Sequence, residues 1–206
     1  MEAANTFRWR HRFLEEVTSH QPKAVSGLVE LDETYFPFSR KGTKNLGDQA
    51  RARGGNFKNT SHHSKNWVPV LVGRARGQAF TVDRVLKSMN VAELTGALTG
   101  VVKAGQTLLC TDGHSSFQKL GKNLGVAVKS VVVSYHGHVR DSVYHVQSVN
   151  SYHERLKTWI LRDLRGVATK YLPHYLGWQR LKTWRRSGAK PEDIIVSALG
   201  RQVINV

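Results

Sequence analysis

One cysteine, Cys110, stands in a chain of 206 residues, which excludes an internal disulfide and any cysteine-based zinc site. Inside LLCTD that thiol reads first as a small buried hydrophobe, with a reactive thiol as the alternative. Long apolar runs are missing as well. No stretch approaches the roughly 20 residues that cross a bilayer, and the charged, aromatic start MEAANTFRWRHRF has no apolar signal region behind it. A membrane-spanning or secreted protein is therefore not expected, and the expected location is the cytoplasm. Internal repeats are also absent. Acids are the last shortage: fifteen Asp and Glu face thirty-one Lys and Arg, a net charge of +16 and a pI near 10.3. Such an excess opposes compaction unless a polyanion relieves it. Nucleic acid is the expected partner, since each phosphate contact releases condensed counterions. Charge alone names a partner but no reaction, because a ribosomal-type protein would show the same excess.

What is present is enough for one main domain, at 40% hydrophobic residues. TFRWRHRFLEEV (6–17) reads as a short helix, and GLVELDETYF as a strand with Glu30 and Asp32 on one face and Glu33 on the other. Residues 38–66 are basic, rich in Gly and Asn and nearly free of aliphatics, so they read as a mobile loop. WVPVLVGRARGQAFTVDRVL predicts two strands turning near Arg76 and Gly77, with Pro69 at the start or edge of the first. NVAELTGALTGVVKAG predicts a helix capped by Asn90 or Ser88. Then come a strand in QTLLCTD, a helix in SSFQKLGKNLG, a strand in VAVKSVVVS and a polar loop over 136–145. VQSVNSYHERLKTWILRDLRG predicts one long helix ended by Gly166. KYLPHYLGWQRLKTWRR predicts an aromatic helix that Pro173 bends, and Pro191 opens a last one. The expected division is an N-terminal helical segment (1–24), a main domain (25–187) carrying the basic loop, and a helical tail (188–206).

Strands joined by turns pair antiparallel, and strands reached through helices lie parallel. The expected fold class is thus α/β: a mixed five-stranded sheet flanked by helices, in RNase-H-like order, with a helical C-terminal part. In that order Asp32 lies on the first strand and Asp112 at the end of the fourth, and adjacency of those strands would bring the carboxylates together. Asn150, Glu154 and Lys157 then share one helical face. Two carboxylates, a helix-borne oxygen and a cation describe a site for divalent metal and phosphate. Magnesium takes hard oxygen ligands and keeps several waters, and two such ions roughly 4 Å apart support in-line displacement at phosphorus. An isolated Asp at a strand end is more often a turn residue, and Asp112–Gly113 is a common turn dipeptide. The pairing with a second acid and a basic chain favours the metal reading.

Other residues are weighed the same way. Glu154 is either a solvated partner for an Arg or a third negative charge at the site. Asn150 has poor propensity for a mid-helix position, so function or a buried hydrogen bond must hold it there. His145 and His153 read as loop and helix-surface residues first, with a proton shuttle as the alternative. His62 and His63 belong to the basic loop and are not a metal pair. Trp159, Tyr171, Tyr175, Trp178 and Trp184 read as core packing before base stacking.

LDETYF, TDGHSSF and above all HVQSVNSYHERLKTWILRDLRGVATKYLPHYLGW carry a resemblance over residues 6 to about 180. The chain resembles ISXO-like insertion-sequence transposases of the DD(E/N) RNase-H-like superfamily. The resemblance implies that Asp32 and Asp112 are the two catalytic aspartates, that Asn150 fills the third position, and that Lys157 is the basic residue following it. It implies magnesium as cofactor, with manganese substituting, and cleavage of DNA at element ends followed by strand transfer into a target duplex. A homodimer or higher synaptic assembly on DNA, in a bacterial nucleoid, is implied too. Arg40, Lys41, Lys44, Arg51, Arg53 and Lys58 in the loop are expected to contact DNA, as are Arg155, Lys157, Arg162 and Arg165 on the helix. Only FRWRHRF resembles the tail of the zinc-ribbon and helix-turn-helix region that such transposases carry upstream. That departure leaves a second expectation open, an inactive remnant that binds DNA without cutting it.

Overall fold

Strand β1 (Val25–Pro37) turns Val29 and Leu31 toward one layer of core and Phe36 toward the other, with Glu30 and Asp32 in phase with Phe36. A computed structural model describes residues 3–19, 21–22, 24–45, 65–77, 80–136, 139–141 and 143–184, with 190, 192, 195, 196 and 199. Beside β1 lie β2 (Trp67–Ala75) and β3 (Thr81–Val85), each antiparallel to its neighbour, and β4 (Val102–Thr111) and β5 (Ala127–Ser130), both parallel. The sheet order is β3-β2-β1-β4-β5, the mixed RNase-H-like arrangement read from the connections.

Helices close both faces. On one side α2 (Val91–Leu98) and α3 (Ser115–Leu124) cover Val29, Leu31, Leu71 and Leu109 through Leu94, Leu98, Phe117 and Leu120. A four-residue helix, α4 (Val133–His136), follows β5. On the other side are α1 (Ala3–Ser19), α5 (Gln147–Lys157) and α6 (Leu172–Trp184), whose Leu14, Val149, Tyr152, Leu156 and Leu176 pack on Val70, Val72 and Cys110. Fully burying such a side chain contributes roughly 1.5–3 kcal/mol, so each layer holds its helices firmly. Among the described residues no helix is long and apolar enough to cross a membrane.

A buried polar knot joins four elements. Asp83 on β3 pairs with Arg180 on α6, both about 1% exposed, and accepts from the Tyr152 hydroxyl on α5 at 3.2 Å. Arg180 also donates to the Thr18 carbonyl of α1 at 3.0 Å. Beside it a Cβ on Gly177 would lie 2.9 Å from Thr18 Cα, so α1 and α6 touch backbone to backbone.

Several local expectations are corrected. The helix expected over 90–105 stops at Leu98, because Gly100 takes a left-handed φ of +77° and β4 begins at Val102. Asn90 is its cap, with Oδ1 accepting from the Glu93 N–H at 2.8 Å. Strand β5 ends at Ser130 and not at 134. Pro173 does not bend a helix: it is the second residue of α6, a first-turn position where proline's missing N–H would be unpaired anyway. The long helix expected up to Gly166 is α-helical only to Lys157, then widens to a π-helix over Thr158–Asp163. Tyr175 is buried, and Trp159, Tyr171 and Trp178 pack against the core, as core residues would. Pro191 and the side chain of Trp184 lie outside the described residues.

Candidate active site

The β1–β4 ladder is parallel and in register from Gly27 opposite Thr107 to Glu30 opposite Cys110. Two residues beyond that last pair come Asp32 and Asp112. Asp32 lies within β1, opposite Val72 of β2, at the level where β4 has ended. Asp112 is the first residue past β4 and is exposed. Its Oδ1 accepts the His114 N–H at 3.1 Å, so the turn role weighed from sequence is real and leaves the second oxygen outside that turn. Gly113 is required there: its φ is +100° and a Cβ would meet Val132 at 2.7 Å.

Asp32 feels the charge of Asp112. Burial first, then Glu33 and Asp112, push the Asp32 carboxyl up to about 7, against a smaller opposing pull from the Glu33 N–H and Lys157. Near neutrality the carboxyl is half-protonated, held there by desolvation and by like charge. A cation beside it would relieve both, and the available donors are hard oxygens: two carboxylates and, on α5, the Asn150 amide. The site residues therefore fit a divalent oxygen-seeking ion that completes its shell with water and phosphate. Among the described residues no group of three or more His, Cys, Asp or Glu could hold a metal without such help.

Helix α5 brings the remaining residues. At 3.6 residues per turn Asn150, His153, Glu154 and Lys157 form one stripe. His153 lies on its sheet side and is buried, while Asn150 and Glu154 are exposed and Lys157 half-buried. Lys157 acts electrostatically on both Asp32 and His153. Asn150 is the fourth residue of α5, not a mid-helix one, so its poor propensity costs less than the sequence suggested.

His153 is the residue underweighted by the sequence, which favoured a surface position. Its Nδ1 lies 3.7 Å from Asp32 Oδ2, and its Nε2 is buried with no hydrogen-bond partner among the described residues. Burial and Lys157 lower its pKa to about 4, so at neutral pH it is an uncharged imidazole against the carboxyl. Its spacing from Asn150 and Lys157 was a usable signal, because it puts the ring on their stripe. His145 is elsewhere, with Nδ1 3.2 Å from Glu30 Oε1. The Cys110 thiol is buried and raised to about 11 by desolvation, which suits a packing residue.

The basic residues expected to grip DNA are placed unevenly. Arg155 and Arg162 are exposed, Arg155 donating to Ser151 Oγ at 3.2 Å. Arg165 is exposed at a left-handed φ of +51° and lines a cavity of about 230 Å³ with Phe36, Ile160 and Leu172. Arg40 is exposed, 5.9 Å over the Phe38 ring, and Lys44 is exposed. The Lys41 ammonium instead donates to the Leu164, Arg165 and Gly166 carbonyls at 3.3, 3.5 and 2.8 Å, closing the end of the π-helix. Arg51, Arg53, Lys58, His62 and His63 lie outside the described residues.

A family model described as an ISXO2-like transposase domain matches residues 24–182. No curated protein matches the chain. Among solved structures similar to it is the catalytic core domain of BIV integrase, with a TM-score of 0.45, 14% identity, and coverage of 85% of this chain and 97% of that one.

Proposed function

Because the chain belongs to the ISXO2-like transposase domain family, whose partner is DNA, we propose that it is a DNA transposase. It would cleave phosphodiester bonds at insertion-sequence ends and join the freed 3′-hydroxyl to a target duplex. The placement of Asp32 on β1 beside β4, with Asp112 just past the end of β4 and acting on the Asp32 carboxyl, carries this reading. Burial raises that carboxyl most and Glu33 next, and Asp112 adds to both.

Asp32, Asp112 and the Asn150 amide oxygen would hold a divalent ion, magnesium or substituting manganese. Such an ion supplies Lewis acidity and charge compensation for in-line displacement at phosphorus. The protein's own residues do the rest. Asp32 must lose its proton to bind a cation, and the neutral His153 ring beside it adds no competing charge. Lys157 offers a point charge to the phosphate at the reacting end. Glu154, exposed one turn beyond Asn150, would reach the ion through water. With only two acids, ion binding draws on the DNA phosphates, so it is weak without DNA. Two element ends held together call for a homodimer or larger assembly.

The test is strand cleavage and transfer on a supercoiled plasmid carrying marked element ends, with magnesium or manganese. Wild type is expected to cut and join, and Asp32→Ala to lose both while binding DNA within about twofold of wild type. Cleavage retained in Asp32→Ala sinks the site assignment. Wild type that binds with steep salt dependence, losing roughly 10³-fold between low and moderate salt, and never cuts is the DNA-binding remnant.

A further inference from the structure

Glu30 has no solvent exposure, yet its carboxylate is fully engaged by donors from elsewhere in the chain. Oε2 accepts the Ser148 and Val149 backbone N–H groups at 2.7 and 3.2 Å. Oε1 accepts Ser148 Oγ at 3.0 Å and Arg76 Nη2 and Nε at 2.8 and 3.1 Å. Arg76 in turn donates to the Val143 and His145 carbonyls at 2.6 and 3.2 Å. A buried carboxylate is tolerable only with this degree of pairing.

Ser148 and Val149 are the second and third residues of α5, so Glu30 performs the helix N-cap's task from a different element. The residue in the cap position, Val146, makes no side-chain cap bond. If helix stability alone were needed, a Ser or Asp at 146 would supply it locally, with no buried charge. A cap sent from β1 does something a local cap cannot: it fixes the helix start against the strand that carries Asp32.

The spacing makes that consequential. From Glu30 to Asp32 the strand advances about 6.6 Å. From Ser148 to His153 the helix advances about 7.5 Å. Two rulers of nearly equal length, pinned together at one end, put His153 beside Asp32 at the other, where Nδ1 and Oδ2 are 3.7 Å apart. Asn150 and Lys157 ride on the same rigid helix.

We propose that Glu30, with Arg76, is a positioning residue for the candidate active site: it sets the axial register of α5 so that Asn150, His153 and Lys157 meet Asp32. The role rests on the transposase reading, and its test is built to fail separately. Oε1 faces the Arg76 N–H groups and Oε2 faces two backbone N–H groups, so in Glu30→Gln the new NH₂ group meets other donors on either side, although size is kept; the His145 Nδ1, 3.2 Å from Oε1, is the one neighbour that could accept from it. Single-turnover cleavage, well below the unfolding temperature and scaled to folded protein, should fall between about tenfold and on the order of 10²-fold, as misplacement by 1 Å does. The DNA half-saturation should stay within about twofold. Ser148→Ala, which deletes only the hydroxyl contact and strands no charge, should show a smaller loss of kcat with the same unchanged KM. It serves if Glu30→Gln does not fold.

A second arm needs no activity. Asp32→Asn should shift the His153 ring resonances in wild type, and by less than half as much in the Glu30→Gln or Ser148→Ala background. Full kcat per folded molecule in both variants, or an undiminished His153 shift, overturns the positioning role. Wild type that never cleaves removes the transposase reading instead, and the resonance arm still decides whether Glu30 sets the register.

Discussion

Replacing Asp32 by asparagine should make the metal-free protein more stable, and increasingly so as pH rises. The carboxyl titrates near 7 in the fold against 3.8 for the free side chain, because burial and then Glu33 and Asp112 penalise its charged form. A pKa raised by folding means that the native state prefers the protonated acid. The stability this contributes is fully present below about 4 and is lost as pH climbs through about 7. A shift of roughly 3 units corresponds to about 4 kcal/mol at pH 8, and to about 0.5 kcal/mol at pH 4. An amide at position 32 has nothing to ionise, so the difference between Asp32→Asn and wild type should widen by about 3.5 kcal/mol across that range. Urea unfolding in a chelating buffer, at matched ionic strength from pH 4 to 8, measures it. Adding a divalent ion should narrow the gap at pH 8, since an ion bound only by the native wild type at ten times its Kd returns about 1.4 kcal/mol. A difference that stays flat with pH, or a destabilised Asp32→Asn throughout, would show that Asp32 is not a strained acid awaiting a counter-charge.

Two further outcomes follow from the layer that carries α6. Arg180→Met strands Asp83 as an unpaired buried charge, so urea denaturation should report a loss of about 3–5 kcal/mol; joint replacement of both partners by apolar residues should restore most of it. Gly177→Ala presses a methyl against the Thr18 backbone 2.9 Å away. It should destabilise by about 1–3 kcal/mol and expose α1 to limited proteolysis first.

How far the sequence reached depended on how local each signal was. Asp32 and Asp112 stood out because each ends an apolar run. Connections gave the sense of each strand, and the adjacency of β1 and β4 was expected only from the RNase-H-like order, which the sheet has. Asn150 and Lys157 were legible as a stripe, through helical spacing and resemblance. His153 was read first as a helix-surface residue and only second as a proton shuttle, because burial is decided by where the sheet lies and a lone histidine carries no mark of it. The π-helix after Lys157 was hidden for a similar reason: Thr158–Asp163 has ordinary helix formers, and its widening accompanies the end at Gly166 and the Lys41 contacts. Glu30 and Asp32 were seen to share a face, but the partners of Glu30 come from residues 76, 145, 148 and 149, distant in the chain. Lys41 was read as a DNA contact from its place in the basic loop, and nothing in the sequence signalled that its ammonium would lie on three backbone carbonyls.

Those two contacts, Glu30 and Lys41, come from one short stretch of chain and grasp opposite ends of the same helical rod. A carboxylate receives the amide-rich start and an ammonium receives the carbonyl-rich finish, so each matches the sign of the backbone dipole it meets. Sliding the rod along β1 would break both attachments at once, and twisting it would break the first. The rod and its strand therefore behave as a braced frame. The Asp112 side of the site is held separately, by its own turn to the His114 N–H and by Gly113 against Val132, so the two halves are anchored to different parts of the sheet.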